Sequence, residues 1–216
     1  GKPVIFILMT GSAVGLEWES EHLPAILNAW YGGQAGGQAI ADVLFGDYNP
    51  SGRLPLTFYK NVNDLPDFED YSMKNRTYRY FTGIPVYPFG YGLSYTDFQY
   101  NTMKVQPSLD KLSVKVTAEV SNVGKYEGEE VVQLYVSNPR DFVTPIRALK
   151  GFRRINLKPG ESQMVEFVLT SKELSVVDVA GNFVPMKGEV QISLGGGQPS
   201  EETIKNRQCV WKSIMR

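Results

Sequence analysis

The sequence contains one cysteine, Cys209, and one histidine, His22, in 216 residues. A single cysteine excludes an intrachain disulfide and leaves no companion for a thiolate zinc site. A single histidine gives a Ser-His-Asp triad only one possible base, and no Gly-x-Ser-x-Gly elbow accompanies it. Basic residues are not in excess: 22 Lys and Arg face 23 Asp and Glu, a net charge of −1, so there is no nucleic-acid footprint. The longest apolar run, Val4 to Met9, is far too short to span a bilayer. Low-complexity segments are missing too. With 42% hydrophobic and 12% aromatic residues, the composition is that of one or two globular domains with a sizeable core.

What is present divides by periodicity. Lys2 to Thr10 is a continuous apolar run rich in β-branched residues, ending at Gly11-Ser12, which suits a strand covered on both faces. Gly15 to Glu21 reads as a short acidic surface helix, and Leu23 to Trp30 as a second buried strand. Ile40, Val43 and Leu44 then fall at helical spacing within a helix from about Ala35 to Phe45, and Gly46 suits a left-handed C-cap. Asn49-Pro50-Ser51-Gly52 is a turn signal, and Leu54 to Tyr59 is expected to return as a strand. This order predicts part of a doubly wound α/β layer over residues 1–59. Residues 60–98 are rich in turns, proline and aromatics, and are expected to lie packed along a surface. From 99 to 216 the pattern is all-β. Leu112 to Val120 alternates, and Val131–Val136, Ala148–Ile155, Met164–Leu169, Leu174–Val179 and Val190–Leu194 follow at the spacing of a seven-stranded sandwich.

The segment Ala29 to Pro55 organises the rest. It runs Trp30-Tyr31-Gly32-Gly33-Gln34-Ala35-Gly36-Gly37, Ala41-Asp42-Val43-Leu44-Phe45-Gly46 and Asn49-Pro50-Ser51-Gly52-Arg53-Leu54-Pro55. Further motifs are Arg76-Thr77-Tyr78-Arg79-Tyr80-Phe81, Tyr87-Pro88-Phe89-Gly90-Tyr91-Gly92-Leu93-Ser94-Tyr95, and Leu149-Lys150-Gly151-Phe152 with Pro159-Gly160-Glu161-Ser162. In this order they closely resemble the C-terminal portion of glycoside hydrolase family 3, the β-glucosidases and β-xylosidases. Asp70-Tyr71-Ser72-Met73 is most similar to the β-xylosidase-like branch. The resemblance implies a partial α/β sandwich layer followed by a fibronectin type III-like β-sandwich. It also implies a nucleophilic aspartate in an N-terminal barrel domain and an acid/base glutamate ahead of the strand at Lys2. Neither position is in this chain, so the resemblance assigns it no catalytic residue.

Other acids are weak substitutes. Glu17, Glu19 and Glu21, and the loop cluster Asp67, Glu69 and Asp70, read as solvated faces. Phe68 and Tyr71 could nonetheless stack on sugar rings while the loop carboxylates bond hydroxyls. Trp30 and Tyr31 stand at the carboxyl end of a strand, where open α/β sheets bind ligands. These four aromatics are the candidate substrate-binding residues. The glycine turn Gly32 to Gly37 lacks the Gly-x-Gly-x-x-Gly spacing, so close helix–sheet packing is expected there instead of phosphate binding. Arg76 and Arg79, among tyrosines, read as a clamp pairing with carboxylates between domains. Asn75-Arg76-Thr77 is a weak glycosylation acceptor motif.

Three readings result. The first is the accessory C-terminal part of a retaining β-glycosidase, inactive alone, whose partners are a β-linked oligosaccharide or glycoside and the protein's own barrel. The second is a stand-alone carbohydrate-binding or interaction module, and the third a small phosphate- or flavin-binding protein. The first needs no cofactor, metal, nucleic acid or membrane, and the resemblance favours a periplasmic or secreted location. Bare apolar faces on Val4–Met9 and Ile26–Trp30 would favour self-association through the α/β part.

Overall fold

The computed structural model describes residues 1–109, 112–139, 144–178 and 180–216. Two short apolar strands open the chain, β1 (Ile5–Leu8) and β2 (Ala25–Asn28), with helix α1 (Glu17–His22) between them. They pair in parallel, Ile5 opposite Ala25 and Leu8 opposite Asn28. Glu17 and Glu19 occupy the first turn of α1 and favour its dipole, while the His22 ring stacks on Trp18 with centroids 4.6 Å apart. Helix α2 (Gly36–Phe45) follows and stops at Gly46, left-handed at φ 84°.

The expected third strand takes a different partner. Leu54 to Tyr59 bends at Pro55 and Leu56 and forms no regular strand; it pairs with the later segment Val86 to Tyr91 through Leu54 N–H to Tyr91 O (2.8 Å), Gly90 N–H to Leu54 O (2.7 Å) and Phe58 N–H to Tyr87 O (2.8 Å). Only Phe58 and Tyr87 form a ladder bridge. Pro55 removes a ladder donor from this run, which limits it to such broken pairing. The small core of this part joins Leu8, Leu16 and Phe58 to Phe6, Trp30, Leu54, Val86 and Tyr87. The aromatic segment thus covers one side of the β1–β2 layer. Along it lie a 3-10 turn at Val62–Asp64 and a helical turn, α3 (Thr77–Tyr80).

The second part is a sandwich of two antiparallel sheets. One orders β11 (Cys209–Met215), β10 (Glu189–Gly195), β5 (Gly128–Ser137) and β6 (Ala148–Leu157); the other orders β3 (Phe98–Pro107), β4 (Val114–Asn122) and β7 (Ser162–Leu169). A hairpin of β8 (Ser175–Val177) and β9 (Phe183–Pro185) and a short helix α4 (Glu201–Lys205) complete it. Val114, Val116, Ala118 and Val120 of β4, with Val165 of the neighbouring β7, share one core with Val132, Leu134, Val136, Leu157 and Ile192 of the other sheet.

Two differences from the sequence expectation have local causes. Leu112 precedes β4 and is 60% exposed, so the alternation begins at Val114. Strands β3 and β11 lack a clean period of two. In β3 the register shifts between Asn101 and Lys104, with Thr102 at φ 43°, so burial passes from Phe98 and Tyr100 to Met103. Strand β11 is a sheet edge, and most of its residues are partly or fully exposed. Val179, the last residue of one expected strand, lies outside the described residues.

Candidate functional site

The carboxyl ends of β1 and β2 are the natural starting point, because ligands of open α/β sheets bind there. Trp30 sits just past β2 at φ 53°, a left-handed conformation unusual for an aromatic residue. This turn sends consecutive side chains in opposite directions. The Trp30 ring packs on Phe58, centroids 6.3 Å apart, and belongs to the small core. Tyr31 is 77% exposed and lies against Gly11, where an added Cβ would come within 2.8 Å of Tyr31 Cε2.

Beside these residues an apolar groove of about 410 Å³ runs between β2 and α2, lined by Met9, Leu27, Ala29, Ala39, Ile40 and Val43 among others. Asn28 Nδ2 is buried at this groove without a hydrogen-bond partner. The glycine turn here differs from its expected role. A Cβ on Gly36 or Gly37 would meet nothing within 4 Å, so neither glycine is needed for close helix–sheet packing in this chain; the close approach is at Gly32, where an added Cβ would lie 3.1 Å from Gly36 Cα.

The loop bearing Phe68 and Tyr71 leaves the body at Lys60, beside Gly15 and the start of α1. A Cβ on Gly15 would lie 3.2 Å from Lys60 O, and Lys60 Nζ is 3.7 Å from Glu17. The Asn61 side chain caps the 3-10 turn by accepting Asn63 N–H (2.9 Å). Asp67 and Asp70 accept Glu69 N–H (3.2 Å) and Ser72 N–H (2.8 Å). The Ser72 bond holds Asp70 below its ordinary carboxylate pKa, helped by Arg76. Arg76 takes carbonyls instead of the expected carboxylates: it donates to Ser72 O (3.2 Å), Asp67 O (3.0 Å) and Asp70 O (2.5 Å). Asn75 Oδ1 is engaged by Thr82 N–H and Oγ1. Although its backbone is tied down in this way, the loop leaves Phe68 and Tyr71 each 91% exposed.

The strongest polar construction joins the two parts of the chain. The Asn49-Pro50-Ser51-Gly52-Arg53 turn inserts against β5. Arg53 Nη2 meets Glu130 Oε2 at 2.5 Å, with side chains only 10% and 3% exposed. Tyr100 donates its hydroxyl to Glu130 Oε1 (2.8 Å), and Arg53 Nε donates to Gly196 O (3.0 Å). Next to it Glu129 Oε2 accepts from Ser51 (3.0 Å), Tyr48 (3.2 Å) and Arg154 (2.7 Å), and Asn49 Nδ2 donates to Glu127 O (3.0 Å). The fit is tight. A Cβ on Gly196 would lie 2.2 Å from Glu130 Oε1, and one on Gly92 would lie 2.2 Å from Gly52 O.

Burial pushes the Glu130 carboxyl above its ordinary value while Arg53 and Tyr100 oppose that rise, and bonds from Arg154 and Ser51 hold Glu129 low. A second contact continues the seam. Tyr78 stacks on Phe89 with centroids 4.2 Å apart and accepts Leu149 N–H (3.0 Å), and Gln133 Nε2 donates to Gly90 O (3.0 Å) and Gly196 O (2.8 Å). Of the two arginines flanking Tyr78, Arg79 lies over the Tyr80 ring. Sequence reasoning took Asn49–Gly52 for a turn only. The charged Arg53 after it and the adjacent pair Glu129-Glu130 were the available signals, but nothing local joins residues 77 positions apart.

Among the described residues there is no cluster of three or more His, Cys, Asp and Glu able to hold a metal, and no helix long and apolar enough to cross a membrane. Cys209 is buried, and burial pushes its thiol up to about 12. The chain is thus an α/β layer locked to a fibronectin-like β-sandwich, with aromatics just past its strand ends.

Residues 1–95 match the glycosyl hydrolase family 3 C-terminal domain, and residues 130–198 match a fibronectin type III-like domain. A xylan 1,4-beta-xylosidase of Xylanibacter ruminicola is 47% identical over 196 residues, 90% of this chain and 23% of the relative. A periplasmic beta-glucosidase of Salmonella typhimurium is 39% identical over 210 residues, 90% of this chain and 28% of the relative. The structure of beta-glucosidase 3B from Thermotoga neapolitana superposes with a TM-score of 0.83 at 31% identity, covering 100% of this chain and 31% of that one. The chain belongs to glycoside hydrolase family 3, to the C-terminal portion of its proteins, and spans about a quarter of the length of the curated relatives it matches.

Proposed function

We propose that this chain supplies the accessory C-terminal portion of a retaining β-glycosidase of the β-xylosidase or β-glucosidase type, and that it does not hydrolyse glycosides alone. The observation that carries this reading is the match of 90% of the chain to 23% of a relative named for xylan 1,4-beta-xylosidase activity. Retaining hydrolysis uses one carboxyl group as nucleophile and a second as acid/base. The family resemblance assigns both to preceding parts of the protein. Of the acids here, Glu129 and Glu130 hold the seam, and Asp67 and Asp70 cap loop turns.

The work of the chain is then mechanical and positional. The sandwich holds the Asn49–Arg53 turn, that turn fixes the end of α2, and the α/β layer presents its strand ends to the barrel and to a β-linked glycoside. Tyr31, Phe68 and Tyr71 are the candidate sugar contacts, with Trp30 supporting Tyr31 from within the small core. The 39% identity to a periplasmic relative supports a periplasmic or secreted location.

The test is turnover of aryl β-xylosides and β-glucosides by two proteins. One is residues 1–216 alone; the other is a chimera in which they replace the corresponding segment of the Xylanibacter relative. Activity is expected from the chimera only. Turnover by the chain alone that disappears on changing Glu69 or Asp70 would overturn the reading, as would a folded but inactive chimera.

A further inference from the structure

We draw no further inference here: the strongest candidate, the apolar groove of about 410 Å³ between β2 and α2, carries nothing because nothing in the structure shows what covers it in a chain that spans about a quarter of the length of its curated relatives.

Discussion

Replacing Arg53 by methionine tests whether the α/β layer and the sandwich are locked by a buried ion pair. Methionine keeps most of the side-chain volume but leaves Glu130, 3% exposed, without the cation opposite it, while the Tyr100 hydroxyl still donates. Removing one partner of a buried pair costs about 3–5 kcal/mol, because the remaining charge is uncompensated. Gly196 O keeps its bond from Gln133, so that carbonyl adds little to the loss. The cost should also depend on pH in a definite direction. Burial already raises Glu130 above its ordinary value of 4.5, and Arg53 is among the groups opposing that rise. Without Arg53 the folded-state value climbs further. An acid whose folded value exceeds its unfolded value binds more protons when folded, so the variant gains stability as pH falls from 7 toward 5. Urea unfolding followed by tryptophan fluorescence and far-ultraviolet circular dichroism measures this at several pH values. The double variant R53M/E130Q retains an acceptor for Tyr100 and should recover most of the loss at pH 7. A loss under about 1 kcal/mol, the range of an exposed ion pair, or a loss that grows toward pH 5, would refute the buried-lock argument.

Glu129, held low by Arg154 and Ser51, stabilises the fold above its ordinary value of 4.5 and loses that contribution as pH falls toward the folded value. E129Q should therefore flatten the acid limb of the stability profile below the ordinary value of 4.5. G92A places a methyl 2.2 Å from Gly52 O and should cost about 1–3 kcal/mol or more in a denaturant melt. G37A points into open space and should stabilise α2 by up to about 1 kcal/mol, with a raised Tm as the check. Cys209 should resist thiol reagents in the native state and react at once in urea, because it is 2% exposed and its thiol is pushed up to about 12. Amide exchange should be faster in Ile5–Leu8, which form half of a two-stranded sheet, than in Val114–Val120, and the difference should shrink if the chain self-associates through its α/β part.

The sequence by itself determined the elements whose cause is local. The span of α2 follows from the spacing of Ile40, Val43 and Leu44 and from Gly46, whose left-handed φ a side chain would resist. Strand β4 was legible because Val114, Val116, Ala118 and Val120 alternate without interruption over one buried face. Glu17 and Glu21 are exposed on a short helix with no buried residue, as their alternation on a polar segment suggests, and Glu17 has Lys60 Nζ within 3.7 Å. Family membership was legible as well, since it rests on the order of motifs.

Tertiary structure alone decided the rest. Strand β3 hid behind a bulge that shifts its burial by one residue, and Leu54 to Tyr59 chose Tyr87 and Tyr91 over the parallel sheet. The clamp of Arg53 on Glu130 joins positions 77 apart, and Ser51 on Glu129 positions 78 apart. No local propensity ranks Glu130 above the other carboxylates as a partner for Arg53. The choice is made by desolvation and close fit, which exist only once the sandwich has closed and brought Tyr100 and Gly196 to the same charge.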